Sequence, residues 1–142
     1  MRTKKILIAY QDDDSIRSLT ALLRSLGYKT DKAGGVSDLI RKIRHDHVQV
    51  MLLNDEVEDV KACDLVPLVR KVNPKVQIIV ISSEESISLL KRLRGAGIFY
   101  QAMKPVDLDE IRSAVECAFE KIERENLTPG FLPFFFPKAL PA

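Results

Sequence analysis

Asn54, Asp55 and Glu56 follow directly behind an apolar run, Val50–Leu53, with Val48 leading in. Continuous apolar character predicts a strand buried on both faces, as in the middle of a parallel sheet. A polar cluster at the carboxyl end of such a strand lies where open α/β sheets hold their ligands. Asn54 and its neighbours are therefore the first candidates for chemistry. Asp12, Asp13 and Asp14 form a second cluster. A short carboxylate there can cap the helix that follows, by accepting from free first-turn N–H groups. His45 and His47 make an H-x-H pair that could bind a metal, but no third ligand stands near them, so they read as a solvated loop. Cys63 and Cys117 lie far apart with no C-x-x-C, and read as buried free thiols. There is no G-x-G-x-x-G and no Walker loop, which argues against a nucleotide site.

The elements that must position these residues alternate along the chain. Lys4–Tyr10 reads as a buried strand. Ile16, Leu19, Leu22, Leu23 and Leu26 recur at helical spacing, and Gly27 closes that helix. Tyr28–Ala33, with Lys29, Asp31 and Lys32, suits an edge strand. A helix over Val36–Arg44 precedes the strand ending at Asn54. The acidic stretch after it, Asp55–Asp64, has little periodicity and reads as a loop. Asp64 is the expected cap of the next helix, which would place Pro67 harmlessly in its first turn. Gln77–Ile81 is another buried strand. Ser82-x-x-Glu85 fits a capping box opening a helix over Glu84–Arg94. Ile98–Met103 is a fifth strand, and Asp107-x-x-Glu110 opens the last helix. The predicted fold is α/β, a doubly wound (βα)5 with a five-stranded parallel sheet.

The 142 residues suit one domain, predicted over 1–126, with a Pro/Phe-rich tail over 127–142. Four prolines and a glycine in that tail forbid a regular helix, while Phe131, Leu132 and Phe134–Phe136 suit either packing back on the domain or docking another chain. A hydrophobic content of 46%, a charged content of 30% and a net charge of +2 belong to a globular chain without a strong nucleic-acid field. No apolar run approaches the roughly 20 residues that span a bilayer. The N-terminus lacks a signal-peptide pattern, so a cytoplasmic location is expected. No DNA-binding output domain is expected after Glu125 in the sequence given, where too little chain remains for one.

Several motifs, in order and suitably spaced, carry a resemblance. Lys104-Pro105-Val106-Asp107-Leu108 links the last strand to the last helix. It stands with the KILI of the first strand, Leu26-Gly27-Tyr28, Ala96-Gly97 and the serine closing the fourth strand. Over Lys4–Glu125 the chain resembles a response-regulator receiver domain, the CheY-like, flavodoxin-like family of two-component (phosphorelay) signalling. The resemblance implies strand order 2-1-3-4-5 and a cis bond before Pro105. It also implies an aspartate phosphoacceptor at the end of strand three, two acidic residues after strand one that hold Mg²⁺, and a hydroxyl and a lysine that contact the phosphate.

Placed on this sequence, Ser82 takes the hydroxyl position and Lys104 the lysine position. Asn54 stands at the acceptor. Tyr10 and Gln11 stand at the acidic pair, Gln101 at the aromatic switch position, and Glu58 where the family has proline. A neutral amide cannot form an acyl phosphate. A phenol and an amide are poor ligands for a hard cation. The expectation is a pseudo-receiver without cofactor or enzymatic activity, in which Lys104, Asn54 and Ser82 form a fixed hydrogen-bond network. Asp12, Asp13 or Asp55 could give Lys104 an anionic partner. Two alternatives stand beside it. One is an active receiver phosphorylated on Asp55, with Mg²⁺ held through Asp12 and Asp13. Strand alternation opposes Asp55, since it would face away from the site unless a bulge intervenes. The other is a domain whose emptied pocket binds a small ligand or an anion. The expected partners are a histidine kinase or an output protein, with a possible homodimer. The family's interaction face, helix four, strand five and helix five, here carries Lys91, Arg92, Arg94, Gln101 and Arg112. Neither nucleic acid nor a membrane is expected as a direct partner.

Overall fold

A computed structural model describes residues 3–126. The predicted tail lies outside the described residues. The chain runs β1 (Lys5–Ala9), α1 (Asp14–Ser25), β2 (Lys29–Lys32), α2 (Val36–His45), β3 (Val50–Asn54), β4 (Glu56–Val57), β5 (Val60–Lys61), α3 (Ala62–Val72), β6 (Gln77–Ser82), α4 (Ile87–Ala96), β7 (Tyr100–Met103) and α5 (Leu108–Glu125). Five of the strands form one sheet in the order β2-β1-β3-β6-β7. All its pairings are parallel. This is the expected 2-1-3-4-5 arrangement, with a small antiparallel hairpin, β4–β5, inserted after β3.

The pattern of burial follows from that order. β3 and β6 are buried along their whole length, because each has a strand on both sides and helices on both faces. Successive side chains point to opposite faces, so the alternation sorts them into two cores. Ile6, Ile8, Val50, Leu52, Ile79 and Ile81 pack with α1 and α5. Leu7, Met51, Leu53, Ile78 and Val80 pack with α2, α3 and α4. On the first face Tyr28 stacks on Phe119, with ring centroids 5.2 Å apart. The edge strand β2 keeps Lys29 and Lys32 exposed, which discourages pairing with another chain.

Local chemistry shifts several boundaries from their sequence-based positions. The stretch read as a loop after Asn54 is the β4–β5 hairpin, with Glu58 at φ 49° and Asp59 at φ 66° in its turn. Two successive positive φ values give the turn whose twist matches the flanking strands, but glycine or asparagine is the usual signal for it. α3 begins at Ala62, so Pro67 lies inside the helix and not in its first turn. α4 begins at Ile87, capped by the Ser86 hydroxyl on Leu89 N–H. Ser82 therefore does not open a capping box. Its hydroxyl accepts from Glu84 N–H at 3.0 Å, within the connecting loop. The cysteines are not buried: Cys63 is half-buried and Cys117 exposed.

Glu58 has an unforeseen part. The N-cap residue of α2 is Gly35, which has no side chain to cap with. The Glu58 carboxylate, 22 residues away in sequence, accepts from Val36 N–H at 2.6 Å. A Cβ on Gly35 would lie 2.7 Å from a Glu58 carboxylate oxygen, so the glycine is what lets the carboxylate approach. A hairpin glutamate thus caps the helix and takes advantage of its positive end. Glu58→Ala is expected to cost about 0.5–2 kcal/mol, read as a lower urea midpoint with faster amide exchange at Val36.

Candidate functional site

The site lies at the carboxyl ends of β1, β3, β6 and β7. Asn54 ends β3 in register with Ile81 of β6, and Ser82 pairs with Met103 of β7. That register brings Asn54, Ser82 and Lys104 to one edge of the sheet. Lys104 N–H bonds to Ser82 O at 2.8 Å, and the Lys104–Pro105 peptide is cis.

The expected network among Lys104, Asn54 and Ser82 does not form: among the described residues no side-chain hydrogen bond joins any two of them. Asn54 Nδ2 donates to Glu56 O at 3.2 Å, while its buried Oδ1 has no partner among the described residues. Lys104 Nζ instead lies 3.4 Å from Asp55 Oδ2 and 5.2 Å from the centre of the Tyr10 ring. The same Asp55 oxygen accepts from Ser83 N–H at 2.9 Å and from the Ser83 hydroxyl at 2.8 Å. The Asp55 carboxylate is thus held by a cation, an amide and a hydroxyl, the kinds of group that hold a phosphate.

Strand alternation explains how Asp55 and Asn54 diverge. Asn54 lines a cleft with Tyr10, Gln11, Gly34, Gly35 and the β4–β5 hairpin. Asp55 lines another, with Ala62, Cys63, Ser83, Leu89 and Leu93. β3 ends at Asn54, so Asp55 is already free of the strand and its side chain reaches the Lys104 corner without a bulge. The sequence argument that Asp55 faces away holds for the cleft and fails for the lysine, whose long stem spans the edge.

The charges are arranged accordingly. Burial alone would raise the Asp55 carboxyl. The Ser82 hydroxyl, the Ser83 amide and hydroxyl and the Lys104 charge outweigh it, and the group lies below its ordinary value of 3.8. The Ser82 hydroxyl also donates to the Glu84 carbonyl, with Oγ 3.3 Å from that oxygen, a long bond to a weaker acceptor. Burial pushes the Tyr10 phenol above its ordinary value of 10.0, against the pull of Lys104, so it stays protonated and neutral at pH 7. Asp13 caps α1 through Ile16 N–H at 2.8 Å. Asp12 pairs with Arg17 at 3.1 Å and Lys32 at 3.6 Å, and Asp14 also pairs with Arg17. No group of three His, Cys, Asp or Glu residues suited to a metal occurs among the described residues. His45 and His47 stand exposed at the opposite end of the sheet.

Residues 6–116 match the family model described as the response regulator receiver domain. The chain is a member of that family. Receiver domains are signalling modules of two-component systems, and the sheet order described above is theirs. The DNA-binding transcriptional regulator NtrC of Azospirillum brasilense is 31% identical over 134 residues, covering 94% of this chain and 27% of that protein. The sporulation initiation phosphotransferase F of Bacillus subtilis is 22% identical over 117 residues, covering 82% of this chain and 94% of that protein. A CheY-like receiver domain protein from Methanospirillum hungatei superposes with a TM-score of 0.81 at 22% identity, covering 88% of this chain and all of that one. At that identity the superposition speaks for the fold. The receiver domain spans about a quarter of the length of the NtrC relatives it matches.

The face made by α4, β7 and α5 has a groove of about 570 Å³, lined by Ile87, Leu90, Arg94, Phe99 and Gln101 among others. Ile87 is 74% exposed. Lys91 and Arg92 are exposed on α4, while Arg112 is engaged within α5 by Asp109 and Glu116. Gln101 is half-buried in β7. Tyr100 beside it is exposed and donates to Glu110 at 2.7 Å, tying β7 to α5. The part played by Ser83, the capping role of Glu58 and this tyrosine–glutamate tie escaped the sequence reading. Only Ser83, next to the expected hydroxyl, carried a signal that could have been followed.

Proposed function

We propose that this receiver domain acts as a phosphorylation-independent interaction module of a two-component pathway, with neither bound metal nor enzymatic activity of its own. The observation that carries the reading is the Lys104–Asp55 pair at 3.4 Å. The lysine that would neutralise an incoming phosphoryl group already has a carboxylate partner from its own chain. Asn54 at the acceptor position and Tyr10 and Gln11 at the metal positions support it, since none of them offers a carboxylate oxygen. Its partners are proposed to be a histidine kinase or an output protein in the cytoplasm, met through the α4–β7–α5 face, with self-association through that face as a further mode. The NtrC relatives are named as DNA-binding transcriptional regulators. The link of this chain to transcription is proposed to run through such protein contacts and not through nucleic acid.

A second reading has its own observation. The Asp55 side chain is 27% exposed and adjoins both Lys104 and Ser83, so it is the remaining carboxylate at the corner able to accept phosphate. Incubation with acetyl phosphate and Mg²⁺, followed by intact-mass measurement, separates the two. The expected result is an unchanged mass. A phosphoryl increment that disappears in Asp55→Asn would replace the first reading with the second.

A further inference from the structure

The groove of about 570 Å³ beside β7 presents mostly apolar surface. Ile87, Leu90 and Arg94 lie about one turn apart on α4 and form one wall. Ile98, Phe99 and Met103 form the strand side. Ile87 and Tyr100 are exposed there, so covering the groove removes apolar surface from water. The described residues end at Asn126, and residues 127–142 lie outside them. In that stretch Pro129, Pro133, Pro137 and Pro141 recur at every fourth position, which opposes a helix and favours an extended backbone. Among them stand four phenylalanines, Phe131 and Phe134–Phe136. Extended proline-rich segments dock on grooves lined by aromatic rings, and Phe99 and Tyr100 line this one.

We infer that the chain's own tail fills this groove, with Phe131–Phe136 along it and Lys138 beside Glu84 and Glu85. Chain length fits that path. Asn126 lies with Lys5 and Gln49 at the amino ends of β1 and β3. β7 stands three strand spacings from β1, about 14 Å at about 4.8 Å each. The five steps from Asn126 to Phe131 cover about 16 Å when extended. From Ile98 to Met103 the groove runs five more steps, again about 16 Å, which Phe131–Phe136 matches. Charge fixes the direction. Lys138 is the one charged side chain of residues 127–142, and Glu84 and Glu85 line the groove at its Met103 end. The reverse direction would bring Lys138 to Arg94. The cleft nearest Asn126 is a poorer host for phenyl rings, since Lys5, Lys29, Asp46, Gln49 and Lys75 line it. Tethering holds the tail at an effective concentration on the order of millimolar, so weak contacts suffice. Of the two sequence readings of the tail, this selects packing on its own domain. The docking does not depend on the proposed function, but adds a consequence to it: a partner using the α4–β7–α5 face has to displace the tail.

The test is NMR on the full chain, with ¹³C-labelled Ile, Leu and Met methyls and protonated phenylalanine rings in a deuterated background. Nuclear Overhauser contacts are expected from phenyl protons to the Ile87 and Leu90 methyls. They should disappear in the triple variant Phe134→Ser/Phe135→Ser/Phe136→Ser and persist on tenfold dilution. Ile87→Asp, at a side chain 74% exposed and therefore tolerant of change, should remove them as well. Lys138→Glu should move the amide signals of Glu84 and Glu85. The inference is overturned if the Ile87 and Leu90 contacts survive in the triple variant or in Ile87→Asp, or if the tail rings contact Ile122 in place of the groove. Unmoved Glu84 and Glu85 signals in Lys138→Glu overturn it too. Contacts that fade on dilution, or that join separately labelled chains in a mixture, give the groove to a second copy and overturn it equally.

Discussion

Replacing Leu52 with alanine is expected to lower the stability of this domain by about 2–5 kcal/mol, the range for emptying a closed core site. Leu52 is fully buried in the middle of β3, with Ile8 beside it on one strand and Ile79 on the other. Its neighbours are held by parallel pairing on both sides, so the backbone has little room to collapse into the space. Domains of this kind have about 5–15 kcal/mol in all, so the loss is a large share. Urea unfolding should show a lower midpoint with an unchanged slope. Leu26→Ala is the control. That leucine is 46% exposed at the end of α1, and its loss should be within about 0.5 kcal/mol. Equal effects at the two positions would refute the description of β3 as the central strand.

Asp55→Asn is expected to have the second largest effect. The variant keeps the shape and removes the charge that engages Lys104 and Ser83. Hydrogen bonds to a charged group contribute about 1.5–3 kcal/mol when buried. With about a quarter of the side chain exposed, solvent screening brings this to about 1–2 kcal/mol. The pH dependence has a definite sign. The Asp55 carboxyl is held below its ordinary value of 3.8 in the folded state. Its contribution is therefore present above that value and lost as pH falls through the lower folded one. Wild type and Asp55→Asn should differ at neutral pH and converge in acid below 3.8. Faster exchange at the Ser83 amide should accompany the neutral-pH difference. A Lys104→Met partner variant would complete a double-mutant cycle, and a coupling near zero would remove the pair from the account.

At the carboxyl edge of the sheet Lys104 is paired with a carboxylate of its own chain, Asp55, at 3.4 Å. The β6–α4 connection, bonded through Ser83 to Asp55, is tied to β3 in the same way.

The sequence by itself determined the alternation of strands and helices, the two central strands and the identity of the residues at the sheet's carboxyl edge. It could do so because period-two and period-3.6 burial are local patterns, and continuous apolar runs such as Val50–Leu53 and Ile78–Ile81 have few alternatives. The β4–β5 hairpin was not legible, because Glu58 and Asp59 are not the residues that ordinarily mark a turn of positive φ. The start of α3 was not legible either, since Pro67 argued for a later boundary that packing overrode.

Tertiary structure alone decided which charges meet. Lys104 had three acidic residues to choose from on paper, Asp12, Asp13 and Asp55. The fold commits Asp12 to Arg17 and Lys32 and Asp13 to the α1 cap, and leaves Asp55 beside the lysine. The reason is physical. Pairings between side chains far apart in sequence depend on where strands end to within about one residue, and a rise of about 3.3 Å per residue already exceeds the roughly 2.9 Å of a hydrogen bond.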